Sequence, residues 1–183
     1  MEADWEVELG GGAPLVEALW PGFVDLRSSA ERVGEIPEAT VFPPLGELLK
    51  ALNAPASPLW TAKCDLWQPN PDDILPGALF AWASYIDLLP VEGKVFAQWQ
   101  QAEAFCRKWV ALLRPLPLAD CRIDLVVRLA IAGETEGFGM TAYLGAAGAC
   151  EAAAAERLAA LMTLFAATIP GIETPAAPAS KLQ

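Results

Sequence analysis

Two stretches of the chain, about 58 residues apart, project the same order of chemical types. Lys63 and Asp65 are answered by Arg122 and Asp124, and Tyr85 with Asp87 is answered by Tyr143, with Arg128 close by in sequence. In alternating segments these side chains fall on one face of a strand. Carboxylates crowded on one surface can raise one another's pKa, leaving one protonated as an acid and its neighbour ionised as a base. A small histidine-free enzyme would therefore rest on Asp65, Asp124, Tyr85 and Tyr143, at the junction of two halves of the chain. A binding surface would use the wider set Lys63, Asp65, Trp67, Tyr85, Asp87, Arg122, Asp124, Arg128 and Tyr143. The plainest reading is a solvated antiparallel face laced with cross-strand ion pairs.

Trp67 stands out among seven tryptophans. Alternation points it away from Cys64 and Leu66 and sets it beside a proline-rich stretch, the position of a contact hot spot. The simpler alternative is that the N-terminal segment folds over it. The other tryptophans read as core.

Further chemistry is bounded by what the sequence contains. Histidine does not occur, which removes the commonest general base and transition-metal ligand. Cys64 and Cys121 sit in apolar rows, where a thiol's pKa rises and its nucleophilicity is lost. The four cysteines, Cys64, Cys106, Cys121 and Cys150, are widely spaced and read as free thiols. The glycines of Gly133–Gly139 precede a strand and carry two acids, so they do not form a phosphate cradle. Asp72 with Asp73, and Glu134 with Glu136, lack the ligand count of a cation loop. No metal and no cofactor are expected.

The net charge of −11 is uneven. Residues 1–56 hold ten acidic and three basic side chains, the rest thirteen and nine. That balance repels phosphate backbones and anionic membranes, so nucleic acid is excluded first; a basic partner is electrostatically allowed. Apolar runs break well before the roughly 20 residues a bilayer requires, despite a mean hydropathy of +0.33. Met1–Leu9 is acidic and without an apolar core, so it does not read as a signal peptide, and a cytoplasmic location is expected.

The elements that must position these residues follow from periodicity. Trp5–Leu9 alternates as a short edge strand, and Phe23–Arg27 reads as another. Ser28 and Ser29 with Glu31 resemble a capping box opening a short helix, and Pro44–Asn53 a helix with a leucine face. Leu59–Trp67 places Trp60, Ala62, Cys64 and Leu66 on one face and Thr61, Lys63, Asp65 and Trp67 on the other. After an exposed loop, 68–79, comes a strand over Phe80–Leu88. A helix with the stripe Phe96, Trp99, Ala102, Cys106, Trp109 and Leu113 ends before Pro115. Cys121–Ala130, a turn over Gly133–Gly137, a strand over Phe138–Leu144 and an alanine-rich helix striped by Leu158, Leu161 or Met162, Phe165 and Ile169 complete the pattern.

The expected fold is a single α+β domain over 1–170. It comprises an antiparallel sheet from two pseudo-repeated strand-strand-helix units, 59–115 and 119–170, with the helices on one face. An acidic N-terminal arm of short elements covers 1–58, and a disordered tail covers 171–183. The expected function is a non-catalytic binding or assembly protein whose open sheet face or exposed loop holds a protein partner or small-molecule ligand, with homodimerisation possible. The enzyme above is the first alternative and an acidic secretion-chaperone-like dimer the second.

Overall fold

The computed structural model describes residues 1–10 and 14–171. In chain order these form β1 (Glu2–Glu8), β2 (Val16–Ala18), a 3₁₀ segment (Ala30–Glu35), α1 (Pro37–Val41), α2 (Pro43–Leu52), β3 (Leu59–Trp67), α3 (Pro71–Ile74), β4 (Phe80–Pro90), α4 (Trp99–Leu113), β5 (Cys121–Ala132), β6 (Thr135–Gly148) and α5 (Glu151–Ala167). The fold is mixed α+β: a sheet in the order β1-β5-β6-β4-β3 with helices packed against it, and β2 continuing the β1 edge alongside β5.

Alternation sorts the sheet's residues. Ile86, Leu88, Ile123, Leu125, Val127, Met140, Ala142 and Leu144 point to one face and are buried with the apolar stripes of α2, α4 and α5. Trp109 of α4 stacks on Phe165 of α5 with ring centroids 4.1 Å apart, joining the two helices over the sheet. Each fully buried side chain of this size stabilises by about 1.5–3 kcal/mol, so this layer holds the fold together.

Two expectations are corrected. The sheet is not antiparallel throughout, because β1 and β2 both run parallel to β5, Glu2 lying opposite Arg122 and Glu8 opposite Arg128. Parallel neighbours require a long crossover, and here most of the chain intervenes. Nor is the duplication confirmed. β3 and β4 are joined by the 68–79 connection carrying α3, whereas β5 and β6 meet through a tight turn at Gly133 and Glu134.

The register adds a third correction. Between β3 and β4 the pairing steps from Thr61 opposite Leu88 to Cys64 opposite Ile86, so Ala62 and Lys63 both oppose Asp87. This β-bulge shifts the alternation by one residue. Trp60 therefore shares a face with Leu89 in a second apolar cluster with Val16, Ala18 and Ala130, while Cys64 packs on the helix side. Unbroken alternation would have placed Trp60 and Cys64 together.

Local outcomes differ elsewhere for physical reasons. Phe23–Arg27 is irregular with Leu26 buried, and Ser29 opens the 3₁₀ segment without a side-chain cap. The turn expected over Gly133–Gly137 is confined to its first residues, Gly133 taking φ +64, a left-handed conformation that glycine adopts freely. Gly137 lies inside β6 because Phe96 crosses it: a Cβ there would stand 2.5 Å from the Phe96 carbonyl oxygen. The expected tail lies outside the described residues from 172 onward. Among the described residues no helix is long and apolar enough to cross a membrane.

Candidate functional site on the open sheet face

The face turned away from α2, α4 and α5 is closed at both ends and open between them. At one end Ile74 of α3 sits on Gly145, where a Cβ would come within 2.5 Å of its Cδ1. At the other, Phe23 meets Trp60 edge to face at 6.0 Å and the Arg27 guanidinium lies 4.1 Å from the Trp60 ring centroid. The N-terminal segment thus folds over Trp60 rather than Trp67.

Between these closures cross-strand register lays the expected residues in rows. Asp124, Tyr143, Tyr85 and Asp65 lie side by side across β5, β6, β4 and β3, and Asp4 of β1 extends that row. The next row is Glu6, Val126, Thr141 and Asp87, faced by the bulge. Trp67 and Tyr85 have ring centroids 6.2 Å apart, and so do Tyr85 and Tyr143, giving an aromatic ladder over three strands. Arg128 continues it, its guanidinium 5.5 Å from the Tyr143 ring centroid. Aromatic contacts at this spacing add about 0.5–1.5 kcal/mol per pair beyond their burial.

Charges on this face divide into paired and unpaired. Arg122 binds Asp124 on the same strand through contacts of 2.6 and 3.3 Å, and Arg128 reaches Glu8 at 2.9 Å. Asp4 meets Arg114 at 3.3 Å. Asp65 accepts only the neighbouring Leu66 N–H, at 2.7 Å. Lys63, Glu2 and Glu6 enter no ion pair among the described residues. The anticipated cross-strand lattice of Lys63, Asp65, Arg122 and Asp124 is thus an in-strand pair on β5 and no ion pair on β3. Arg128 Nε is buried without an acceptor, an exception to the rule that buried polar groups are bonded.

Asp87 is the chemical centre of the face. It is 4% exposed, and Thr141 Oγ1 donates a 2.6 Å hydrogen bond to its Oδ1. Burial pushes its pKa from the ordinary 3.8 up to about 6, against the lowering effects of the Thr141 bond, Lys63 and Arg128. Burial, then the charges of Asp87 and Asp65, raises Tyr85. Sequence placed acid-base chemistry on Asp65 and Asp124, whereas the carboxyl displaced toward neutrality is Asp87. Its signal in sequence was slight: an aspartate inside an otherwise apolar stretch, Tyr85–Leu89.

Cys64, Cys106 and Cys121 are not poised as nucleophiles. Burial pushes Cys64 and Cys106 up to about 12 and Cys121 to about 11, so at neutral pH each stays protonated. Asp72, considered as a cation ligand, instead accepts the Gly77 N–H at 2.7 Å and shapes the 68–79 connection.

No family model matches the chain, and searches of the curated proteins and of the solved structures find no match either.

Proposed function

We propose that the chain is a binding protein whose open sheet face holds a cationic protein partner. One observation carries this reading: the Trp67–Tyr85–Tyr143 ladder is half-exposed along its length and flanked by carboxylates left over after the ion pairs form, Asp65, Glu2 and Glu6. Aromatic faces bordered by unpaired carboxylates attract Lys and Arg side chains by cation–π and Coulomb contacts together. The surrounding net charge of −11 speeds such an encounter. A cytoplasmic setting belongs to the same proposal, supported by four cysteines that all remain free.

The test is native mass spectrometry of the chain purified gently from its own host, beside a Trp67→Ala/Tyr143→Ala variant. A discrete basic partner on the first and none on the second supports the reading. A bare chain in both refutes it.

A second reading, a small enzyme, is favoured by Asp87 alone. A buried carboxyl with a pKa of about 6 beside a tyrosine is suited to proton transfer near neutral pH. It predicts turnover that follows the protonation of Asp87 and is abolished in Asp87→Asn, whereas binding at the ladder survives that change.

A further inference from the structure

A cavity of about 410 Å³ lies against the outer edge of β3, between that strand and the segment from Trp20 to Glu38. It falls in the range of small-molecule sites, roughly 300–1,000 Å³. Trp20, Val24, Ile36 and Leu49 supply apolar wall, and Glu38 and Lys63 supply charge.

Several other polar groups around this cavity are already satisfied, while the Tyr85 hydroxyl, which also lines it, is free to serve a ligand. Glu35 is held by Arg32 through two contacts of 2.8 Å. On β3 itself, the Thr61 N–H donates to Asn53 Oδ1 at 3.1 Å and the Ala62 carbonyl accepts Trp20 Nε1 at 3.2 Å. These caps occupy the edge of β3 at Thr61 and Ala62, so strand addition is blocked at that point of the recess. The charges that remain are one carboxylate and one ammonium. Both line the same recess, neither reaches the other within ion-pair distance, and neither meets another counter-charge among the described residues. Lys63 reaches the recess from the bulge opposite Asp87.

We propose that this cavity binds a free α-amino acid with a bulky apolar side chain, its ammonium on Glu38, its carboxylate on Lys63 and its side chain against Trp20 and Ile36. Opposite charges held apart beside apolar wall are both compensated only by a ligand carrying both complements. An apolar ligand would desolvate them unpaired, and a simple anion or cation would leave one unmet. The site goes beyond the sheet-face reading, sharing only Lys63 and Tyr85 with that surface, and it stands if the protein partner fails.

The test is titration calorimetry on the wild-type chain with L-phenylalanine, L-leucine and L-tryptophan, beside two half-ligands: phenethylamine, which lacks the carboxylate, and 3-phenylpropionate, which lacks the ammonium. At least one amino acid binds and both half-ligands bind at least about tenfold more weakly. Glu38→Gln and Lys63→Met, checked for native circular dichroism, each lower amino-acid affinity about tenfold or more. The proposal is overturned if no amino acid binds, if a half-ligand binds as well as its parent, or if a folded variant keeps wild-type affinity. The ligand series on the unaltered chain decides even where a variant does not fold.

Discussion

The two flanks of the open sheet face carry the same order of side-chain types and resolve it in opposite ways. On β5, regular pairing with β6 from Cys121 to Ala132 leaves Arg122 and Asp124 two residues apart on one face, where they form a close ion pair. On β3, Lys63 and Asp65 have the same spacing, but the bulge at Ala62 and Lys63 intervenes and no pair forms. Asp65 turns to its neighbour's N–H, Lys63 lines the cavity, and Asp87 is left buried opposite the bulge. A single inserted residue thus separates a flank whose charges neutralise each other from one whose charges stay available. The available charges are those on which a ligand can act.

Removing the distinction should have the largest effect. Deleting Ala62 removes the bulge while leaving Thr61 opposite Leu88 and Cys64 opposite Ile86, but it takes a buried methyl out of the cluster around Trp60 and removes the carbonyl that accepts the Trp20 indole N–H. The expected loss is about 3 kcal/mol by urea denaturation. Wild-type stability in that variant would show that the bulge is not specified by its surroundings.

Asp87→Asn comes next and acts in the stabilising direction. With its folded pKa raised to about 6, Asp87 keeps its proton in the native state through a window, about pH 4 to 6, in which the unfolded chain has lost it. Native protein therefore binds more protons there, and stability falls as pH rises through that window. The full penalty above it is on the order of 2–3 kcal/mol. Asparagine keeps an acceptor for Thr141 without the charge. The variant is expected to gain about 2 kcal/mol at pH 8 and to lose this pH dependence, as thermal melts across pH 4–8 would reveal.

Trp67→Ala should cost about 1 kcal/mol or less, because the ring is half exposed and leans on Tyr85 alone among the aromatics, yet it removes partner capture. A loss above about 3 kcal/mol would place the ring in the core and end its role as a contact surface. Smallest is Arg122→Gln, about 0.5 kcal/mol at low salt and nothing measurable in molar salt, against no stability loss for Lys63→Gln. Equal losses in the two would mean that the flanks do not differ in pairing.

Much of the fold was legible because it depends on periodicity. The bounds of β3, the stripe of α4 ending at Leu113 and the apolar positions of α5 follow from spacing of 2 and 3.6 residues. The bulge was hidden because Trp60, Ala62, Cys64 and Leu66 alternate without a break; only the partner strand reveals that two residues face one. Parallel pairing of β1 leaves no trace in its own alternation, and β2 is too short to read at all. Alternation set the nine expected residues on one side of the sheet but could not rank them, since the surroundings of Asp87 come from Lys63 on β3, Arg128 on β5 and Thr141 on β6. The cavity escaped because Trp20 and Glu38 come from irregular or short elements whose placement no local pattern encodes.

The pairing of β1 with β5 has a consequence for the order in which the molecule can be completed. During synthesis β1 must wait for β5, since Glu2–Glu8 has no sheet partner until Arg122–Arg128 has left the ribosome. Through that interval its four carboxylates keep the strand hydrated and discourage it from joining a neighbour's edge. When β5 arrives, Arg122 and Arg128 stand opposite Glu2 and Glu8, and Ala3 and Trp5 pack beneath α4, so β1 closes this edge of the sheet only once β5 is there to receive it.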